Sequence, residues 1–443
     1  MTRIRPSRRT HAARSESWPL ADSRGTGTLS ELVTVPVCGT VPLVRDARSN
    51  PFQPGWGKPG VWAGRDLLVG EFTDVVLPRV ADGVKEVPRL VQDERGMGKT
   101  ALLEALADEA RERDCLVVSV TAARGEDFTR VFAAALAGAA AAGSLVERLE
   151  GRVSAALARL AGVTVAGTGV TVSGGGEEPV ASVTLTDALV DVGRLARDTA
   201  RQLVVLVDEV QNVGATHLAA VFTALQRALE HTETDQHPSG GTIRYGLPIA
   251  VWLAGLPGAL ANFRKAHVTF GERCELVALG PLDDREVREA LVTFSRFNDA
   301  GVVFDADAIE VFVDVVAGYP YTFQLLGKAA WDAGHGQVIT AEEVHTAAER
   351  IEPSMRQRYA ARLEGLTDDQ VAYLVAAASL SDEERTPTRV CRAWKADPDA
   401  TASMCGGMHQ RLVDDHQVIR RGPDGRIRFA LPGMASYLAD LAR

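Results

Sequence analysis

The chain has 443 residues, 46% of them apolar, with a formal net charge of −10; this exceeds one compact core and implies two or three domains. The acidic balance excludes a global pull toward nucleic acid or an anionic membrane, though it is compatible with a local basic patch. The five cysteines (Cys38, Cys115, Cys274, Cys391, Cys405) are scattered without a CxxC pair, a usage that fits a reducing cytoplasm and argues against a disulfide framework or a zinc site.

No apolar run is long enough to span a bilayer, and no apolar stretch follows the basic N-terminus as a secretion signal requires. Residues 1 to about 49, rich in Arg, Ser and Thr without periodicity, read as a disordered N-terminal extension, either an interaction tail or the product of a mis-set start. The Pro- and Gly-punctuated stretch from Asn50 to Gly60 is an irregular lead-in. Trp62 to Arg65 then opens a helix carrying Leu67, Leu68 and Phe72. A strand–helix alternation follows, the pattern of a parallel α/β sheet: a strand at Leu90–Gln92, a helix from Lys99 to about Arg113, and a strand at Cys115–Val120. An Ala-rich helical stretch covers about 127–161. Val163–Val165 and Val170–Ser173 flank a Gly-rich turn and read as a hairpin insertion. A helix from Thr186 leads into Leu203–Val207, apolar enough to be buried on both faces. Ile249–Leu253 and Glu275–Leu279 bring the strands to at least five. Residues 283–350 read as helices only, a small lid. Residues 355–443 read as three helices and two short strands around a Gly-Pro-Asp-Gly turn.

Arg95-Gly96-Met97-Gly98-Lys99-Thr100 lies between a predicted strand and a predicted helix, the context a phosphate-binding loop requires. Its glycines let backbone N–H groups turn inward, and the helix that follows adds its positive end. Lys99 is then the point charge for the β- and γ-phosphates and Thr100 a Mg²⁺ ligand. The G-x-x-x-x-G-K-[ST] pattern expects glycine where this chain has Asp93. Asp tolerates positive φ, but its carboxylate near phosphate disfavours binding. The bland alternative is a Gly-rich turn that happens to end in Lys-Thr. Downstream, a dry strand ends in Asp208-Glu209 at the carboxyl edge of the sheet, where ligands of α/β folds sit. Asp208 suits the Mg²⁺ shell, and Glu209 suits a general base for an attacking water. An ordinary strand end is the alternative.

Together, Arg95–Leu103 and Leu203–Glu209 resemble the AAA+ and STAND-like P-loop ATPases, in particular bacterial predicted ATP-binding proteins similar to archaeal origin-recognition ATPases. Further stretches carry the resemblance. Asn50-Pro-Phe52 with Ala63-Gly64-Arg65 is similar to the segment lining the adenine pocket, Ala254–Pro257 to the end of the fourth core strand, and Gly318-Tyr-Pro320 with Phe323–Leu326 to the lid motif. The resemblance implies an ATPase core over 50–282, a helical lid over 283–350 and a winged helix-turn-helix over 355–443. It implies ATP held by Arg65 and by Arg95 to Ala101, with Mg²⁺ on Thr100 and Asp208 and catalysis by Lys99 and Glu209. Arg273 is either a surface arginine beside Glu272 and Glu275 or, by resemblance, the arginine that stabilises transition-state charge on a neighbouring subunit, which would need a homo-oligomer. Two departures point to slow turnover: Ala254 and Gly255 stand where relatives place a polar residue to position the water, and the lid motif carries no arginine.

In the C-terminal module the resemblance places a recognition helix at Ala402–Val413, offering Ser403, His409, Gln410 and Arg411. Arg420, Arg421, Arg426 and Arg428 make the wing basic, though Asp414 and Asp415 oppose phosphate. DNA, a protein partner or the ATPase core itself are its candidate counterparts. Three readings stand: an ATP-dependent switch, a non-catalytic nucleotide-binding scaffold, and a DNA-binding regulator dominated by the winged helix. The nine dispersed histidines suggest no ligand.

Overall fold

A computed structural model describes residues 45–55, 57–142, 163–166, 169–172, 178–236, 240–414, 416–422 and 424–442. Most of the N-terminal extension expected over 1–49, and the distal part of the Ala-rich stretch, lie outside the described residues.

The centre is a five-stranded sheet built from β1 (Arg89–Gln92), β2 (Leu116–Thr121), β5 (Leu203–Asp208), β8 (Ile249–Gly255) and β9 (Glu275–Val277). Their spatial order is β2-β5-β8-β1-β9, and every neighbouring pair runs parallel. β5 and β8 are buried along their whole length, and successive residues supply opposite faces. Leu203, Val205 and Val207 face one apolar cluster with Phe132, Leu189 and Phe222. Val204 and Leu206 face another with Phe72, Leu102 and Leu106. Helices α4 (Phe128–Ala142), α5 (Glu178–Asp198) and α6 (Ala215–Glu230) cover the first face. The opposite face carries α3 (Lys99–Glu112) and the helical run of α1 (Asp66–Glu71), a π-turn (Phe72–Val76) and α2 (Leu77–Ala81). The π-turn has a local cause. Pro78 has no N–H to give an i−4 carbonyl, and the chain widens one residue earlier, where the Leu77 N–H reaches Phe72 O.

β3 (Val163–Ala166) and β4 (Gly169–Val172) pair antiparallel in the register Val163↔Val172, the expected hairpin. The helix after it starts at Glu178 rather than Thr186. A second hairpin, β6 (Glu233–Gln236) with β7 (Thr242–Tyr245), has mostly exposed strands, so no apolar alternation announced it.

After α7 (Ala259–Lys265) and β9, residues 284–363 hold α8 (Asp284–Phe297), α9 (Ala306–Val316), α10 (Pro320–Ala333) and α11 (Ala341–Leu363). The helices-only expectation needs correction: β10 (Val303–Phe304) and β11 (Val338–Ile339) form a short parallel bridge. Phe304, Phe312, Phe323 and Trp331 close this core together with Phe52 of the lead-in. α11 is one 23-residue helix that continues toward the C-terminal module. There α12 (Asp368–Ala378), α13 (Pro387–Lys395), a 3₁₀ turn (Ala402–Cys405) and α14 (Gly406–Asp414) precede β12 (Ile419–Arg421) and β13 (Ile427–Phe429). The two strands pair antiparallel, and α15 (Met434–Leu441), absent from the sequence reading, packs on α12.

The cysteine usage argues against a disulfide framework, and the structure corrects that reading with one bond. Cys391 and Cys405, 14 residues apart with Cα atoms 5.9 Å apart, are bonded. Their spacing matches no motif; the fold of α13 against the 3₁₀ turn brings them together. Among the described residues no helix is long and apolar enough to cross a membrane.

Candidate functional site

β1 ends at Gln92 and the chain turns through Asp93–Gly98 into α3. Gly96 and Gly98 take φ of 83° and 89°, conformations that L side chains rarely adopt. Gly96 has a second reason to lack a side chain: a Cβ there would lie 2.4 Å from the Tyr319 hydroxyl. That hydroxyl donates to Arg95 O (2.8 Å), and burial pushes its pKa up to about 12. Tyr319 is the N-cap of α10, with Pro320 at the first helical position. The Gly318-Tyr-Pro320 motif thus stops α9, starts α10 and lays one phenol on the loop.

Lys99 is buried, and its ammonium donates to Asp93 O (2.6 Å) and Glu94 O (2.7 Å). Burial lowers its pKa, with the charges of Asp93, Glu209 and Asp208 opposing. Thr100 Oγ1 donates to Asp208 Oδ2 (2.6 Å) across from β5. Burial raises the Asp208 pKa, and the Thr100 hydrogen bond moderates the rise. Glu209, at φ 53°, begins a tight turn and lines the cleft.

The cleft has a volume of about 360 Å³, at the lower end of small-molecule sites. The loop from Arg95 to Ala101 and Glu209 form one wall, Gln53 to Arg65 a second, and Pro320 to Gln324 a third. The second and third walls are tied together, since Gln53 N donates to Gln324 Oε1 (3.1 Å) and Gln324 Nε2 to Val61 O (2.8 Å). Arg65 borders the cleft, but its guanidinium is spent on Leu279 O (2.8 Å) and Gly280 O (2.6 Å).

Every ATP- and metal-site residue expected from the sequence except the buried Asp208 thus borders the cleft, and Asp208 bonds to Thr100 within it. Arg273 does not border the cleft of its own chain. It sits on a 3₁₀ turn and pairs with Glu230 (2.6 Å), both side chains about half exposed. Asp93 behaves differently from the sequence expectation. It is not at positive φ, and its carboxylate avoids the cleft wall. Oδ1 accepts from Glu94 N (2.8 Å) and Oδ2 from Gly280 N (2.8 Å), while Arg420 of β12 lies 3.5 Å from Oδ1. The Glu94 carboxylate pairs with Arg362 of α11.

Arg358, missed in the sequence, lines the cleft with its guanidinium 3.7 Å from the centroid of the Tyr321 ring. Its signal was modest: Arg358 and Arg362 share one helix face, four residues apart. In the C-terminal module His409, expected on the reading face, is 6% exposed. Arg426 and Arg428 pair with Asp424 (3.2 and 3.1 Å), and Arg428 also with Asp382 (3.6 Å). Arg421 is exposed.

Residues 61–237 match the AAA ATPase domain family. No curated protein sequence matches the chain. Among solved structures the fold is similar to the ORC2 protein of Aeropyrum pernix, solved in ADPNP–ADP complexes, at a TM-score of 0.51 and 14% identity over 90% of this chain and 100% of that one. It is also similar to the Walker-type ATPase of Pyrococcus abyssi, at a TM-score of 0.50 and 14% identity over 82% of this chain and 94% of that one. At such identity these likenesses establish a fold: the parallel sheet and helices of an AAA+ P-loop ATPase.

Proposed function

We propose that this AAA+-fold chain binds ATP with Mg²⁺, hydrolyses it slowly, and uses the nucleotide state to control what its C-terminal module engages. One observation carries the reading: Lys99, the Thr100–Asp208 pair and Glu209 converge on a single cleft closed by the lead-in and by α10. The loop N–H groups and the N-terminus of α3 cradle the phosphates, and Lys99 supplies their point charge. Glu209 polarises the attacking water. Thr100 and Asp208 fit Mg²⁺ because they offer one hydroxyl and one carboxylate, the sparse hard-oxygen set this ion takes when phosphates and waters complete its shell. When bound, the ion offsets charge on the transferring phosphoryl group.

Slow turnover follows from the apolar end of β8 at Ala254 and Gly255 and from a lid motif without arginine. Arg273, which does not border the cleft of its own chain, acts in this reading only across a subunit boundary, in a homo-oligomer. The C-terminal module is read as a winged helix that engages DNA or a protein partner in one nucleotide state. The internal pairing of Arg420, Arg426 and Arg428 favours a protein surface, the ATPase core included, because DNA binding needs several cations free for phosphate. Strongly salt-dependent retention of the full chain on DNA would reverse that preference. A cytoplasmic setting belongs to the same proposal, without the cysteine usage as support.

The test is Mg²⁺-dependent ATP binding and steady-state hydrolysis of wild type against Lys99→Ala. Both activities are expected in the wild type and neither in the variant. Binding without turnover in the wild type sinks the ATPase and leaves the nucleotide-binding scaffold, which the bare end of β8 favours. Absence of binding sinks both and moves the functional weight to the C-terminal module.

A further inference from the structure

The end of β8 is bare, yet a polar side chain occupies the space in front of it. A Cβ on Gly255 would lie 3.0 Å from Gln211 Oε1, 3.0 Å from Ala259 Cβ and 2.9 Å from Val210 Cγ1. Gln211 comes from the 3₁₀ turn Val210–Asn212, two residues after Glu209. Its Oε1 accepts from Leu256 N (3.0 Å), and its Nε2 donates to Glu209 Oε2. The orientation of this amide is forced. The Leu256 N–H can only donate, so it takes the amide oxygen, and the NH₂ group is left for the carboxylate.

The turn that carries Gln211 is pinned from both sides. Its main-chain oxygen accepts from Asn262 Nδ2 (3.1 Å) on α7. The next residue, Asn212, donates through Nδ2 to Ala122 O (3.1 Å) beyond β2. Glu209 enters the turn in the left-handed region, at φ 53° and ψ 37°, which a non-glycine residue holds only when its surroundings insist on it. A rigid turn, a fixed amide and a carboxylate with one oxygen engaged together leave Glu209 a single presentation to the cleft.

Resting on the ATPase reading above, we infer that Gln211 is the positioning residue for hydrolysis. It holds the general base Glu209 through one carboxylate oxygen and leaves the other for the attacking water. It thereby fixes the base from the turn after β5, while the end of β8, at Ala254 and Gly255, still offers no polar side chain to the water. A charge-assisted N–H···O bond to a base is short and directional, and a base must lie within hydrogen-bond reach of the proton it takes. Losing a partner that orients a metal ligand costs about 10- to 100-fold, and a similar loss is expected for a partner that orients a general base.

Two variants separate positioning from structural support. Gln211→Glu keeps an oxygen for Leu256 N but replaces the fixed donor with a second carboxyl that repels Glu209 or shares a proton with it, whereas Gln211→Ala loses both contacts. The measurements are kcat for ATP hydrolysis and Kd for Mg-ATP, in wild type, in both variants, and in Gln211→Ala combined with Glu209→Gln. Both single variants are expected to lose about 10- to 100-fold in kcat with Kd within about threefold of wild type. The combined variant is expected to be no slower than Glu209→Gln alone, because Gln211 acts only through that carboxylate. Wild-type kcat in Gln211→Glu overturns the inference, as does a Gln211→Ala loss that multiplies onto Glu209→Gln. Either result leaves the ATPase reading intact, provided the wild type turns over. A wild type that binds ATP without hydrolysing it overturns that reading, and this inference with it.

Discussion

Asp93 and Glu94 are 3% and 4% exposed, and a buried carboxylate is costly unless donors or cations answer it. Asp93 is answered by two backbone N–H groups and by Arg420, Glu94 chiefly by Arg362. Burial raises the Glu94 pKa, and Arg362 pulls it back down. Removing Arg362 therefore raises it further. A carboxylate whose folded pKa lies above its unfolded value disfavours folding while it is ionised, and that penalty fades as pH falls through the folded pKa. Arg362→Ala should therefore cost roughly 2–3 kcal/mol near neutral pH, at the low end for breaking a buried pair because the arginine is partly exposed. The deficit in thermal unfolding should shrink at pH 5; an equal deficit at pH 5 and pH 8 would dissociate Glu94 from the loss. Lys99, Thr100, Asp208 and Glu209 could be found in the sequence because strand–loop–helix order alone brings such positions to one sheet edge. Gln211 and Arg358 could not. Their places depend on which way a turn folds back and on how a distant helix crosses the loop, and neither leaves a local pattern.

Between elements, the lead-in is seated by a ring. Phe52, 2% exposed, packs on α10 among Phe294, Phe304 and Phe323. The contact is possible because Gly327 is a glycine: a Cβ there would stand 2.2 Å from Phe52 Cδ1. Gly327→Ala ordinarily gains helix stability, about 1 kcal/mol in an exposed interior. Here it should instead unseat Phe52, because overpacking costs about 1–3 kcal/mol. The wall from Gln53 to Arg65 would then loosen, and Mg-ATP affinity should fall about tenfold or more while helix content by circular dichroism stays constant. Unchanged affinity would mean that the lead-in is not part of the site. The core strands were legible because their apolar runs are buried on both faces, whereas β6, β7 and the β10–β11 bridge are too short or too polar to show periodicity. The Cys391–Cys405 bond was illegible for another reason: spacing reveals a disulfide only when it repeats a known pattern.

Across the whole molecule, the phosphate loop and the C-terminal module share a core. Met97, 1% exposed, packs in the same cluster as Met355, Tyr359, Tyr373 and Ile419, and two charges of the loop are answered from α11 and β12. On the proposed function, a loop that reorganises around phosphates would move against those contacts, and ATP would bias the module without touching it. Neither arginine borders the cleft, which makes their joint replacement a test of the route rather than of binding. In wild type, Mg-ATP should change amide hydrogen exchange in Ile419–Phe429 as well as in the loop. In Arg362→Ala/Arg420→Ala the loop response should persist with ATP affinity within about threefold, while the response in Ile419–Phe429 falls by half or more. The remainder would be carried by Met97, since packing and charge are separate links in the same coupling. A double variant whose module responds as fully as wild type would show that the ion pairs only answer buried charge and that the shared apolar core transmits the change. The absence of any response in the wild type module would sink the switch itself and leave an ATPase whose C-terminal module is a fixed part of its fold.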